Sequence, residues 1–315
     1  MSSLLFSFPG AGSRFRGLLP LLTALILLGF AGSGFAETRV IILGTGTPVP
    51  DAQRAGAGVA IVVDGTAYVF DAGSGIQHRA VEAAQTLDVP GLDPQNINYL
   101  FITHLHSDHI HDVDNFAMSR WWARQQRLQI YAPAGINDYV RNMTAMAKIE
   151  ADLRTAGTPA QLITDPQGYA AVAHEIAAGY VFSNDQIKVE AFDVPHGDIK
   201  PALGYRITTA DKTIVISGDT SYSEEIARQA AGVDLLIHEV MSGDNLDTQS
   251  EFWQLYHGHS HTRARDVAKV ANQARPGKVV LTHILFFGAS PEQIVSEVTR
   301  DYDGPVTMAK DLDEF

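Results

Sequence analysis

The sequence predicts an α/β protein in which sheets are buried between outer helices, and two observations support this prediction. Short apolar segments bounded by Gly, Pro or Asp recur along the chain, as expected for buried strands, and helical patterns separate many of them. The predicted strands are RVIILG, VAIVV, AYVFDAG, NYLFIT, LQIYAP, IKVEAFDV, ALGYRIT, TIVISGD, DLLIHEV, KVVLTH and GPVTMA. So many strands with intervening helices favour layered sheets that helices cover.

Two helices have clear sequence signals. The first covers residues 290–302, where Ser290 can cap the helix, Pro291 suits its first turn and Gln293 completes a capping box. The second covers residues 137–155 and should end near Gly157. No short repeat, low-complexity tract or linker interrupts the rest of the chain, so residues 37–315 are expected to form one domain.

Residues 1–36 have the pattern of an export signal. Arg14 and Arg16 precede the apolar run GLLPLLTALILLGFAGSGFA, which ends in small residues, and cleavage is expected after Ala36. The apolar core is shorter than a bilayer requires and contains Pro20, so no stable membrane insertion is expected after the signal is removed. The mature protein should therefore be periplasmic or secreted.

Charge and cysteine content restrict the partners and ligands. The chain carries 36 acidic and 23 basic residues, a formal charge of −13 that becomes −15 when Arg14 and Arg16 leave with the signal. No cluster of Lys and Arg occurs in residues 37–315, and nucleic acid is therefore not expected as a partner. The absence of cysteine excludes disulfides and thiolate ligands, so a metal would have to bind His, Asp or Glu.

The segment ITHLHSDHIH, residues 102–111, contains four of the 12 histidines directly after a predicted strand. Alternate side chains of an extended segment share a face, so His104 and His106 can bind one ion while Asp108 and His109 bind a second beyond the turn. Other candidate ligands also follow predicted strands, namely His196, Asp219 and His283. Imidazole and carboxylate ligands without sulfur suit catalytic zinc, and the common placement predicts one site with two zinc ions.

These motifs resemble the metallo-β-lactamase superfamily, and in particular its branch with ribonuclease Z and the zinc-dependent arylsulfatases. The resemblance rests on HLHSDH together with LGTGTPVP, RAGAG, FDAGSG, VPHG, ALGYRI, ISGDT, HSHT and LTHI. It implies a four-layer α/β/β/α sandwich with the site at one edge. It also assigns ligands to the first zinc (His104, His106, His196), to the second (Asp108, His109, His283) and to both (Asp219).

The resemblance also suggests catalytic residues. It places His261, at the start of a predicted helix, beside the metals, where it would stabilise or protonate the leaving group. His257 and His259 lie in the same segment and leave the register of this assignment open. Asp108 is expected to be catalytic as well as a ligand.

The expected function is that of an exported dinuclear zinc hydrolase that uses a metal-bridging hydroxide to cleave an anionic ester of a small molecule, either an aryl sulfate or a phosphodiester. Aromatic residues near His261 and after His283 hint at an aryl portion in the substrate (Phe252, Trp253, Tyr256, Phe286, Phe287). Trp121 and Trp122 either line a pocket or pack in the core.

The alternative functions are a β-lactam or lactone hydrolase, a ribonuclease Z-like nuclease, which the acidic composition and export signal disfavour, and a non-catalytic zinc-binding protein. A homodimer is left open.

Overall fold

The computed structural model describes residues 37–157 and 165–315. The expected signal segment, residues 1–36, and its cleavage site lie outside the described residues. Among the helices that are described, none is both long and apolar enough to cross a bilayer. The strands are β1 (Thr38–Gly44), β2 (Gly58–Val63), β3 (Thr66–Phe70), β4 (Tyr99–Phe101), β5 (Gln129–Ala132), β6 (Val172–Glu175), β7 (Gly179–Ser183), β8 (Lys188–Asp193), β9 (Leu203–Thr208), β10 (Thr213–Ile216), β11 (Leu235–Met241), β12 (Lys278–Leu285) and β13 (Val306–Met308).

Helices connect many of these strands. They are α1 (Ile76–Thr86), α2 (Ser107–Ile110), α3 (Val113–Trp122), α4 (Ile136–Thr155), α5 (Glu224–Gln229), α6 (Gly243–Leu246), α7 (Glu251–Ser260), α8 (Ala264–Ala274) and α9 (Pro291–Thr299). The predicted capping box of α9 is present, because the Ser290 hydroxyl accepts from the Gln293 amide and the Gln293 side chain accepts from the Ser290 amide. Helix α4 begins one residue before its predicted start and ends at the predicted Thr155.

The strands form two mixed sheets. One has the order β1-β2-β3-β4-β5-β6 and the other β13-β12-β11-β10-β9-β8-β7. In each sheet the strands that come first in the chain pair antiparallel and the later ones pair parallel, starting with β3 and β4 in one sheet and β10 and β11 in the other. The parallel strands point their carboxyl ends towards the same edge of their sheet.

Three hydrophobic cores separate four layers. Alternate residues of β1 face opposite sides, with Ile41 and Leu43 packed among residues of α1, α3 and α4, and Val40 and Ile42 packed against the second sheet. A third core lies between the second sheet and helices α5, α8 and α9, and includes Val267 and Ile294. This helix, sheet, sheet, helix order is the predicted layered α/β architecture.

Every predicted strand segment contains an observed strand, and two further strands, β6 and β7, were not predicted. Their residues are half-buried or exposed, and their sequences, VAHE and GYVFS, lack the longer apolar run that marks most of the predicted strands. The predicted strand around residues 278–283 is longer than expected and continues to Leu285. His283 interrupts its pairing with β11 as a bulge and has a φ of 41°. Such a bulge redirects a side chain without ending the strand.

Glycines allow the loops at this edge of the sheets to approach closely. A Cβ on Gly73 would lie 2.1 Å from the carbonyl oxygen of Asp108, so only glycine lets the loop after β3 pack against the histidine motif. Gly218 has a φ of +60° in the turn that follows β10 and directly precedes Asp219. The backbone therefore delivers the candidate ligands from separate strands to one place.

Candidate metal centre

The first group of candidate ligands consists of three histidines and Asp219. Nδ1 of His106 lies 2.9 Å from Nε2 of His104 and 3.2 Å from Nε2 of His196. Tetrahedral ligands that are 2.0–2.1 Å from a metal ion are about 3.3 Å apart, so the three nitrogens have the spacing of ligands around one ion. Oδ2 of Asp219 lies 3.9 Å from Nε2 of both His104 and His196.

The second group shares the same aspartate. Nε2 of His283 lies 3.2 Å from Oδ2 of Asp108 and 3.3 Å from Oδ2 of Asp219. Nε2 of His109 lies 3.5 Å from each of these two carboxylate oxygens. Four potential ligand atoms therefore converge on each of two adjacent positions, with Asp219 between them. All seven residues that the sequence singled out as ligands lie together here.

Hydrogen bonds to Nδ1 fix the orientation of several rings. Nδ1 of His196 donates to the carbonyl oxygen of Ser260 at 2.7 Å, and Nδ1 of His104 donates to Oγ1 of Thr103 at 3.0 Å. In each ring this arrangement leaves the Nε2 lone pair pointing into the cluster. Outer partners of this kind orient the histidines of metal sites and set their tautomer.

Sequence reasoning missed one residue of the site, Asp71, which follows β3. Its Oδ2 accepts from Nδ1 of His109 at 2.8 Å and its Oδ1 accepts from the amide of Thr103 at 2.8 Å. The side chain is buried and the backbone φ is 61°. The available signal was the position of the aspartate in FDAGSG directly after a strand, the same placement that drew attention to Asp219.

The residues fit a divalent metal because several buried polar atoms of the candidate ligands have no hydrogen-bond partner among the described residues. Within the described part of the chain, no hydrogen bond satisfies Asp108 Oδ1, Asp219 Oδ1, His109 Nε2 or His283 Nδ1. Buried polar atoms are rarely left unpaired unless an ion or water takes the place of a partner. Together with the donor set of imidazole and carboxylate, this identifies a site for divalent metal.

The electrostatics of the cluster agree with a bound cation. Burial lowers the pKa of His104 well below its ordinary value and lowers the pKa of His106 and His196, which keeps these rings neutral and able to bind metal. Burial also opposes charge on His109, but the carboxylates of Asp219 and Asp71 outweigh it and raise the pKa of His109 well above its ordinary value. A cation in the second group would supply the positive charge that a proton on His109 otherwise supplies.

His261 lies at the edge of the cluster, outside both groups of ligands. It was expected at the start of a helix, but it instead directly follows the last residue of α7 and precedes α8 by three residues. Its Nδ1 donates to Oε1 of Glu239 at 3.0 Å. Glu239 is buried at the end of β11 and also accepts from the amide of Thr220 at 2.9 Å. Of the three histidines in this segment, His259 is exposed and His257 lines the cavity, while His261 lies close to Glu239 and the candidate ligand His283.

The cluster lies at the base of an open cavity of about 460 Å³. His106, His196, Asp219 and His261 form part of its wall, and apolar and aromatic residues form much of the remainder. This cavity is lined by four of the five aromatic residues that the sequence linked to the substrate, namely Trp253, Tyr256, Phe286 and Phe287. Phe252 is not part of its lining. Trp121 and Trp122 line a different surface groove, beside α4.

The sequence is similar to proteins of known class. A sequence model of the beta-lactamase superfamily domain matches residues 66–284. The chain is 31% identical over 250 residues to the ribonuclease Z of Mycobacterium sp. (strain KMS), which covers 78% of this chain and 84% of the relative. It is 27% identical over 280 residues to the ribonuclease Z of Mycobacterium bovis (strain BCG / Pasteur 1173P2), covering 87% of this chain and 96% of the relative.

Solved structures share the fold. A metallo-beta-lactamase fold protein from Bacillus subtilis superimposes with a TM-score of 0.68 at 17% identity, over 88% of this chain and 98% of that one. The short form of human tRNase Z superimposes with a TM-score of 0.63 at 22% identity, over 88% of this chain and 98% of that one. At these identities the likeness supports the fold alone, and the predicted four-layer fold is confirmed.

Two expectations about the substrate are wrong. The sequence favoured hydrolysis of a small anionic ester and did not favour nucleic acid as a partner, whereas the relatives are named ribonuclease Z. Net charge is an average over the whole surface, but a substrate is recognised by the local field and shape of the pocket that binds it. An acidic chain can therefore still have a site for a phosphodiester.

Proposed function

The chain belongs to the beta-lactamase superfamily of metal-dependent hydrolases, and on that premise we propose that it is a ribonuclease Z-like enzyme that hydrolyses phosphodiester bonds in RNA. The resemblance seen in the motifs is thereby confirmed at the level of the superfamily. Because the chain belongs to a family of hydrolases, the alternative of a non-catalytic zinc-binding protein is not favoured. The observation that carries the proposal is the pair of ligand groups joined by Asp219 next to the hydrogen-bonded pair of His261 and Glu239.

The proposed metal content is two zinc ions. The first would be held by His104, His106 and His196, the second by Asp108, His109 and His283, and Asp219 would contact both. When bound, such ions supply Lewis-acid polarisation of the phosphoryl group and activation of water near neutral pH. A shared carboxylate offsets the repulsion between two cations, which is the physical reason for an aspartate at this position.

The remaining chemistry belongs to side chains of this protein. Oδ1 of Asp108 has no hydrogen-bond partner and can accept a proton from the attacking water. Glu239 accepts a hydrogen bond from Nδ1 of His261, which directs the opposite ring nitrogen, Nε2, to the cavity. When both ring nitrogens are protonated, Nε2 can donate its proton to the departing oxygen while Nδ1 stays bonded to Glu239.

The substrate proposal has support from local charge as well as from the relatives. A phosphodiester carries one negative charge, and two divalent ions exceed the combined charge of Asp108 and Asp219, so the centre stays positive in an acidic protein. Besides Asp219, one basic and one acidic residue, Arg54 and Asp51, line the cavity among the described residues, and their charges offset each other. The positive charge of the centre therefore favours an anionic ester over a neutral amide or lactone.

The test is cleavage of RNA by purified protein loaded with zinc. A 5′-labelled RNA hairpin with a single-stranded 3′ extension and an unstructured RNA should each be incubated with wild-type protein and with a His106→Ala variant. We expect the wild type to cut at least one of them and the variant to lose most activity, because it lacks a ligand of the first ion. If protein that holds both zinc ions leaves every phosphodiester intact, the proposed function is wrong.

A further inference from the structure

We propose that Trp253 and Tyr256 form a stacking subsite for one unpaired nucleobase next to the scissile phosphodiester. This inference rests on the proposed function and adds to it the part of the RNA that the protein recognises. The proposal rests on one observation, that two exposed aromatic rings lie in the same cavity as the candidate metal ligands.

The lining of the cavity has two chemically different parts. Candidate ligands and His261 form the polar part, and the other part is mainly apolar and comes from three separate segments, with Thr47 and Asp51 as polar members. Those segments are residues 46–51, helix α7 and the end of β12 with the loop that follows it. A ligand that fills the cavity therefore needs an anionic part for the metal side and a flat or apolar part for the other, which is the composition of a nucleotide.

Helix α7 brings the apolar wall to the reacting centre in steps of one helical turn. Trp253, His257 and His261 are four residues apart, and their rings lie side by side. The ring of Trp253 is 5.4 Å from that of His257 at an interplanar angle of 25°, and the ring of His257 is 5.7 Å from that of His261. A single ring, that of His257, therefore lies between Trp253 and His261, the side chain proposed to protonate the leaving group.

The two rings at the mouth of the cavity are open to a ligand. Trp253 is 46% exposed and Tyr256 is 51% exposed, and their planes meet at 85° with centroids 5.8 Å apart. Helix α7 buries only Ser260, so these aromatic residues contribute little to the core. Large aromatic side chains that are exposed next to a reaction centre are better explained by ligand binding than by folding.

The scarcity of basic residues in the cavity makes stacking more important here than in basic nucleic-acid-binding proteins. Among the described residues that line the cavity, Arg54 is the only Lys or Arg, so few phosphate contacts can form there. One contact is available, because the Arg54 guanidinium lies in the cavity over the ring of Phe286 and donates to Oγ1 of Thr45 at 2.7 Å. Base stacking on aromatic side chains can supply the remaining affinity.

The subsite would select unpaired nucleotides without selecting a particular base. Inside a duplex both faces of a base are covered by its neighbours, so an aromatic side chain can stack only on a base that is free of the helix. Every base has a π-face, and stacking therefore tolerates any sequence. The inferred substrate is a phosphodiester flanked by single-stranded RNA.

Binding of two matched ligands tests this proposal without requiring cleavage. Adenosine monophosphate and ribose 5-phosphate share their sugar and phosphate and differ by the base. Calorimetric titration of zinc-loaded wild-type protein should give tighter binding of adenosine monophosphate by about 5- to 150-fold, the range expected for one stacked base. Trp253→Ala should bring the two affinities together, and Trp253→Phe should keep most of the difference.

Trp122→Ala is the matched control, because Trp122 is 63% exposed but lies on α3, outside this cavity. It should bind both ligands as the wild type does. Equal affinities for the two ligands in the wild type, undetectable binding of adenosine monophosphate, or an unchanged base preference in Trp253→Ala would each overturn the subsite. Base-dependent binding by a protein that cleaves no RNA would instead support the subsite and contradict the proposed hydrolysis.

Discussion

The imidazole of His261 and the buried carboxyl group of Glu239 are joined by a hydrogen bond of 3.0 Å between Nδ1 and Oε1. If His261 donates a proton to the leaving group, the His261→Ala variant should keep both metals. Its turnover should fall by about 10²- to 10⁴-fold, the usual effect of losing a general acid. The defect should shrink for aryl phosphodiesters with acidic leaving groups, which need little protonation. Zinc content and turnover across a series of such esters would measure both effects.

His259→Ala is the control for this prediction, since His259 is exposed near the end of α7, two residues before His261, and its replacement should leave turnover unchanged. Glu239, His261 and His283 also lie close enough to hold an ion themselves. A His261→Ala protein that loses zinc would therefore assign His261 to metal binding and contradict the role in proton donation.

Asp71 provides a second prediction, because its carboxylate holds Nδ1 of His109 at 2.8 Å. Asp71→Ala should weaken zinc binding by about 10- to 100-fold, the usual cost of removing an outer partner of a metal-binding histidine. Competition with a chromophoric chelator would measure the affinity. Asp64→Ala is a suitable control, because Asp64 also has a positive φ but lies in the exposed turn between β2 and β3. Equal affinities of wild type and Asp71→Ala would remove Asp71 from the site.

The same residues illustrate what the sequence could and could not predict. The motif at residues 104–109 was recognisable because its ligands are close in sequence, and His196, Asp219 and His283 were recognisable because each follows or ends an apolar strand. Asp71 was missed although it has the same placement, because a position after a strand does not by itself show that an acid orients the side chain of another residue. Its function depends on a contact with His109, 38 residues away, which only the fold creates.

Helix α7 shows a second limit of sequence reasoning. Its segment, EFWQLYHGHS, contains a glycine and buries a single residue, so it lacks the apolar stripe that predicts a core-facing helix. The aromatic residues were noticed, but their placement around the cavity depends on the helix that carries them. His283 is similar, because a bulge rather than a strand end directs its side chain to the centre.

Asp311, near the C-terminus, provides a third prediction because it anchors the loop at residues 45–55. It accepts hydrogen bonds from the amides of Thr45 and Ala55, at 3.1 and 2.7 Å, and from Nε of Arg79 at 3.2 Å. Asp311→Ala should lower the free energy of unfolding by about 1–3 kcal/mol, because it leaves these donors without an acceptor. It should also raise KM, because this loop lines the cavity.

Chemical denaturation and steady-state kinetics would test both parts. The control is Asp303→Ala, which breaks an ion pair with Arg275 in which the aspartate side chain is 86% exposed. Such a surface pair contributes about 0–1 kcal/mol, so both quantities should stay near wild type. An Asp311→Ala protein as stable and as tightly binding as the control would show that the loop does not depend on this carboxylate.

A fourth prediction concerns location, for which we propose export directed by residues 1–36. In a Gram-negative host the mature chain should begin at or near Glu37 and be recovered in the periplasmic fraction. Intact-mass measurement of fractionated protein would identify the N-terminus. Recovery of chains that retain Met1 in the membrane fraction would point to an anchor instead.

The most direct test of the account is the metal stoichiometry of the native protein. Elemental analysis by mass spectrometry of protein purified without chelators should give about two divalent ions per chain, because two groups of ligands converge around Asp219. The same measurement on Asp219→Ala should give one ion or fewer, since that variant removes the shared ligand from both groups. A wild-type protein that binds no divalent metal, or an Asp219→Ala variant that retains two ions, would contradict the proposed metal centre.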